Sequence, residues 1–184
     1  MINYELPTTL CVDGKEYEIN RKGDYRIILD IISVFCDQDL TDQQKAYCAL
    51  SIFYNFNIPE NIESALAEMK RFIDCGEDTA EDNTHVKPRM DWEHDFNLII
   101  SPINKALGYE VRMADYLHWW TFVGGYMEID GDCQFAMILN IRKKLSKGQK
   151  LEKWEREFYQ SNRNRVNIPA RLSKKDKAFL EFDL

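Results

Sequence analysis

Five consecutive residues, Tyr116-Leu117-His118-Trp119-Trp120, hold two of the chain's four tryptophans, and a third, Trp92, opens the stretch around them from Asp91 to Met127. That stretch reads as two helices. In the first, Trp92, Phe96, Ile99, Ile100, Ile103 and Leu107 share one helical face. Asp91, Glu93 and Asp95 place negative charge at its start, where the helix dipole favours it, and Gly108 follows its last apolar position as a helix-ending residue. Pro102 removes a backbone donor inside the pattern, which predicts a kink or break near Leu98 to Ser101. Tyr109 to Met113 is a connector, and the second helix starts near Ala114. It carries two apolar stripes, one through Met113, Leu117, Trp120 and Val123 or Gly124, the other through Tyr116, Trp119, Phe122 and Tyr126. A helix apolar on both sides is buried between layers or offers one side to a partner. The expectation is that Leu117, Trp120 and Val123 face the core, while Trp119, Phe122 and Tyr126 are candidate partner-binding residues nearer a surface. Gly124-Gly125 weakens the helix by about 1 kcal/mol per glycine and marks an end, a kink or a close backbone approach.

Composition bounds the class. A chain of 184 residues, 45% apolar and 30% charged, suits one globular domain, or one domain with a tail. Its first residues lack the basic start and apolar run of a signal peptide, and no apolar run approaches the ~18 residues of a membrane span. The five cysteines are odd in number, widely spaced and without C-x-x-C, which predicts reduced thiols in a cytosol. Net charge is −7 but unevenly spread. From Arg142 onward there are 13 basic against six acidic residues, +7, leaving 11 against 25, −14, for the rest. The basic part therefore suits an acidic surface: nucleic acid, an acidic protein, or the chain's own N-terminal body. The last two are favoured, because the basic residues lie among acids and lack interleaved stacking aromatics.

The remaining elements follow in order. Thr8 to Asn20 reads as a β-hairpin turned at Asp13-Gly14, with Leu10, Val12, Tyr17 and Ile19 on one face. Asp24 caps a helix carrying Ile27, Ile28, Ile31, Ile32 and Phe35. Thr41 with Gln44 is a capping box for a helix carrying Tyr47, Leu50, Phe53 and Tyr54. Pro59 opens a third helix with Ile62, Leu66, Met69, Phe72 and Ile73, closed by Gly76. The segment 77–89 is polar and acidic and reads as a flexible loop. Asp132 caps a helix with Phe135, Ile138, Leu139 and Leu145; Leu151, Trp154 and Phe158 mark another. Ile168-Pro169 ends the helical pattern, and 169–184 reads as a loosely held basic tail with one short helix at Ser173 to Phe182. The predicted fold is mainly α: a compact multi-helix domain over 1–168 with a short N-terminal β-hairpin at 8–20.

The chemistry-bearing residues are few. Glu93-His94-Asp95 with Asp91 allows a metal or acid–base cluster, but H-E-x-x-H spacing is absent, and a solvated helix start is favoured. His118, between apolar neighbours, reads as a packed, hydrogen-bonded histidine ahead of a catalytic base. Trp119-Trp120 allows sugar or base stacking, with core or partner contact favoured. No residue sits in a nucleophile motif, and Gly124-Gly125 is not a phosphate loop. No catalytic, cofactor-binding or metal-ligating residue is assigned.

One set of motifs goes further. Tyr4-Glu5-Leu6-Pro7-Thr8 leads into Val12-Asp13-Gly14-Lys15-Glu16-Tyr17-Glu18-Ile19-Asn20, then Asp24-Tyr25-Arg26 and a helical block ending in Ile58-Pro59-Glu60. An acidic loop precedes Asp91-Trp92-Glu93-His94-Asp95-Phe96, Gly108-Tyr109 precedes Leu117-His118-Trp119-Trp120-Thr121-Phe122, and Ile138-Leu139-Asn140-Ile141-Arg142 closes the set. Over residues 4 to 168 the chain resembles the bacteriophage gene-product-fifteen family, small proteins of tail-gene clusters in phages and prophages of Gram-positive bacteria. Pro102 and the tail after Pro169 depart from that pattern. The resemblance implies a non-enzymatic helical tail-morphogenesis protein without cofactor, an assembly chaperone acting on the tape measure protein until the tail-tube protein polymerises around it. A structural component retained in the virion tail is the alternative, and a nucleic-acid-binding regulator is less favoured. Host cytoplasm, or the virion tail, is the implied location, with no membrane partner and self-association left open.

Overall fold

Asp13 and Gly14 both adopt positive φ, 49° and 80°, as a tight two-residue hairpin turn requires. They fold β1 (Thr9–Val12) back onto β2 (Lys15–Glu18) in antiparallel register, with Leu10 opposite Tyr17. The hairpin is the chain's two-stranded sheet, and the rest of the described chain is mainly helical, the fold class expected. The computed structural model describes residues 5–77 and 89–173. The acidic segment 78–88 and the tail from 174, helix 173–182 included, therefore lie outside the described residues.

By internal packing the chain divides into two compact units. The described residues of the first are 5–77, 115–122 and 171–173; those of the second are 89–114 and 123–170.

The first unit is built on the hairpin and three helices, α1 (Tyr25–Cys36), α2 (Asp42–Phe53) and α3 (Ile62–Ile73). Asp24 caps α1 through the Arg26 amide, and Thr41 and Gln44 form the expected capping box on α2. The cap of α3 is Asn61, whose Oδ1 accepts the Ser64 amide at 3.2 Å, so the helix starts after Pro59 and not at it. At the other end Cys75 takes a left-handed φ of 57°, the Gly76 amide bonds Arg71 O and the Cys75 amide bonds Phe72 O, a Schellman closure with cysteine where glycine is usual. Val12, Tyr17, Ile19, Ile28, Ile31, Leu50, Phe53, Tyr54, Met69 and Phe72 are buried, each worth about 1.5–3 kcal/mol. Tyr54 donates to Ala65 O, and burial raises its phenol pKa. Tyr47 was expected on this face but stands exposed, because α2 turns Ala49, Leu50 and Phe53 inward.

The second unit holds α4 (Trp92–Leu107), the later part of α5 (Trp119–Met127), α6 (Gln134–Ser146), α7 (Lys153–Ser161) and the short α8 (Arg163–Val166). No break occurs at Pro102: α4 runs through it, and the fully packed Ile99, Ile100 and Ile103 around it outweigh one lost hydrogen bond. Gly108 ends α4 in the left-handed conformation, φ 81°. The close-approach reading of Gly124-Gly125 holds at Gly125, where a Cβ would stand 3.0 Å from Leu107 and 3.2 Å from Ile103. The cap of α6 is Cys133, whose Sγ accepts the Ala136 amide at 3.4 Å; Asp132 lies one position too early. Ile138, Ile141 and Val166 form a core with Leu98, Leu151 and Phe158 against it. Trp154, expected on the inner face of α7, is 52% exposed.

Candidate interaction site

The aromatic run does not begin a helix at Ala114. A 3-10 turn at Val111–Met113 and an extended connection precede α5, which starts at Trp119. The reason lies in Asp24. Its carboxylate accepts the Leu117 amide at 3.2 Å, the Tyr25 amide donates to Leu117 O at 2.9 Å, and Asp24 and His118 form one antiparallel bridge. Pairing with the start of α1 holds Leu117 and His118 extended. Asp24 is fully buried, and Arg26 supplies its counter-charge at 3.1 Å.

His118 caps α5. Its Nδ1 lies 3.1 Å from the Trp120 amide and accepts that proton, so Nε2 carries the ring hydrogen and donates to Pro7 O at 3.0 Å. Burial pushes its pKa below the ordinary value, against the opposing pull of the Pro7 hydrogen bond. His118 is thus the packed, hydrogen-bonded histidine the sequence favoured. Gly23, at φ 76°, completes the fit: a Cβ there would stand 2.6 Å from Phe72 Cζ and 3.2 Å from His118 Nε2.

Both indoles then turn to the end of α3. Trp119 Nε1 donates to Ile73 O and Trp120 Nε1 to Phe72 O, each at 2.8 Å. Two adjacent tryptophans so donate to two successive carbonyls at a helix C-terminus, the Phe72 carbonyl being shared with the Cys75 amide. Trp119 stacks on Phe122 at 5.8 Å, and Phe122 on Tyr25 at 4.5 Å.

This geometry corrects the assignment of the stripes. Trp119, 3% exposed, and Phe122 are buried in the first unit, whereas Trp120 and Val123, expected inward, are only partly buried. The Ile73 carbonyl draws Trp119 in, and Phe122 is held between the Trp119 and Tyr25 rings. Tyr126 belongs to the second unit, where it is partly buried against Trp92 and Phe135, with its hydroxyl 3.2 Å from Met90 Sδ. Trp119 and Phe122 are therefore core residues of the first unit, and Tyr126 is partly buried in the second.

The acidic start of α4 also proves different. Asp91 caps it, accepting the Glu93 and His94 amides. Asp95 is fully buried and paired with Arg142, so the solvated reading fails at that residue. Among the described residues no group of three His, Cys, Asp or Glu could hold a metal ion.

Exposed apolar side chains and a surface groove are among the accessible features of the described residues. Phe56, Met113, Met127, Tyr47 and Trp154 are exposed, Phe56 by 80% and Met113 by 81%. In the second unit a groove of 460 Å³ is lined by Leu98, Pro102 and Phe135, with Lys105, Asp130 and Cys133 also on its walls. Lys105 and Asp130 are joined at 2.6 Å, which lowers the Asp130 pKa and raises that of Lys105. These are means of binding by contact and charge. Among the described residues no helix is long and apolar enough to cross a membrane.

A family model described as bacteriophage Gp15 protein matches residues 2–168. No curated protein and no solved structure matches the chain.

Proposed function

The chain belongs to the bacteriophage Gp15 protein family, and from that premise we propose that it is a non-enzymatic assembly chaperone of the phage tail, acting on the tape measure protein. The observation that supports this reading is the set of large apolar side chains left exposed on both units, Phe56 on the first, Met113 and Met127 on the second. Methionine and aromatic side chains adapt to varied apolar partners, which a protein holding a long amphipathic chain soluble requires. The chaperone works in the host cytoplasm and leaves when tail-tube subunits polymerise.

Immunoblotting of purified particles beside the infected-cell lysate tests this. The chain is present in the lysate and absent from particles. Its presence in particles at structural stoichiometry replaces the chaperone reading with that of a retained tail component.

A further inference from the structure

Two surface corners of the chain carry opposite charge beside exposed apolar side chains. The first is the α1–α2 corner. From Arg26 to Lys45 there are four aspartates, Asp30, Asp37, Asp39 and Asp42, against Arg26, which is paired with Asp24, and the half-buried Lys45. All four are exposed, and so are Phe35 and Tyr47 on the same two helices. The second is the α6–α7 corner. Lys143, Lys147, Lys150, Lys153 and Arg156 are exposed, with Glu152 the one exposed acid between Lys143 and Arg156. Glu155 is buried and already holds Lys144 at 2.6 Å. Leu145 and Trp154 stand exposed there.

Local helix chemistry explains part of this pattern and leaves the rest. Lys143 and Lys144 in the last turn of α6, and Asp42 in the first turn of α2, sit where the helix dipole favours them. Lys153 opens α7, where the dipole favours acids, and Asp37 follows the last turn of α1, where it favours cations. Lys147 and Lys150 follow the end of α6, and Asp39 lies in the α1–α2 connection. An exposed tryptophan with cations around it has the composition of an interface anchor with a charged rim. The complement is present on the chain itself: four exposed acids beside two exposed aromatics.

We propose that the basic α6–α7 corner of one copy docks on the acidic α1–α2 corner of a second copy. The contact joins two different surfaces of the chain, one from each copy. Charge sets its rate and orientation, and Trp154 with Phe35 or Tyr47 supplies the apolar contact.

Sedimentation velocity of the full chain at low and high salt, with two variants, tests this. Lys147→Gln/Lys150→Gln/Lys153→Gln neutralises the basic corner. Asp37→Asn/Asp39→Asn/Asp42→Asn neutralises the acidic one and keeps the amide oxygens that serve its turn. The unaltered chain associates with concentration at low salt and returns toward monomer as salt screens the corners. Each variant alone stays monomeric. An equal mixture gives dimers and nothing larger, because one intact pair of corners remains. A chain that is monomeric at every salt concentration overturns the proposal, as does a mixture that fails to associate. An unaltered chain that stays monomeric but binds an oligonucleotide through the three lysines also overturns it, and assigns the basic corner to nucleic acid.

Discussion

Arg142 and Asp95 form a buried bidentate pair, Nη1 to Oδ2 at 2.6 Å and Nη2 to Oδ1 at 2.8 Å. The same guanidinium donates to Val166 O, Arg165 O and Arg89 O. One side chain of α6 thereby fixes the start of α4, the end of α8 and the backbone at residue 89, all within the second unit. Arg142→Met or Asp95→Asn removes one partner and leaves the other charge or its carbonyls unmatched. Each is expected to cost about 3–5 kcal/mol, read as a lower urea midpoint. Arg142→Lys restores the charge without the planar fork and recovers only part of that loss.

Trp119 and Trp120 are expected to rank in the order that burial dictates. Trp119→Ala opens a cavity under Ile73 and Phe122 and costs about 3–5 kcal/mol. Trp120→Ala, at a partly exposed ring, costs less. Tryptophan-to-phenylalanine changes isolate the lost indole hydrogen bonds, about 1 kcal/mol each. Urea unfolding of the four variants gives the comparison; a costlier loss at Trp120 than at Trp119 would place the core on the other stripe.

Acid should destabilise the first unit through His118. Its folded pKa is lowered below the ordinary value by burial, so the unfolded chain takes up a proton first as pH falls. Stability then declines as pH drops from about 6.5 toward the lower folded pKa, and levels off below it. His118→Asn keeps an acceptor for the Trp120 amide and removes the titration. Thermal melts of both proteins between neutral and mildly acid pH should show a shallower slope for the variant.

Gly23→Ala probes the fit behind that histidine. The new methyl group would meet Phe72 Cζ at 2.6 Å in a backbone conformation, φ 76°, that side chains disfavour. A loss of about 1–3 kcal/mol by urea unfolding is expected. Gly124→Ala, with nothing within 4 Å of its Cβ position, serves as the control and should be neutral or stabilising.

Local chemistry was legible where it decides structure by itself. The Asp13-Gly14 turn, the Asp24 cap, the Thr41–Gln44 capping box and the Gly108 stop are each set by residues a few positions apart. Periodicity also located α1 to α4. It failed where a distant partner overrides the local pattern. Asp24 holds Leu117 and His118 extended across 93 positions, which shortens α5. The Ile73 carbonyl and the Phe122–Tyr25 stack draw Trp119 and Phe122 in, which exchanges the stripes of the aromatic helix. Asp95 looked like a solvated first-turn acid because its partner lies 47 residues on. A signal was present: Arg142 adjoins Ile141 and follows Ile138 by four, on the buried face of α6, where a lone cation needs an acid. The exposed Trp154 and the charged corners were visible only as composition, because exposure depends on which face the tertiary packing selects.

The chaperone reading meets its most direct test in the solubility of the tape measure protein. That protein is expressed from the same phage with and without this chain, and its soluble fraction is measured after centrifugation. Co-expression should move most of it from the pellet to the supernatant, and the two should co-purify. Replacing Phe56, Met113 and Met127 together by serine should return it to the pellet while this chain stays folded. Equal solubility with and without the chain, and no co-purification, would contradict the account.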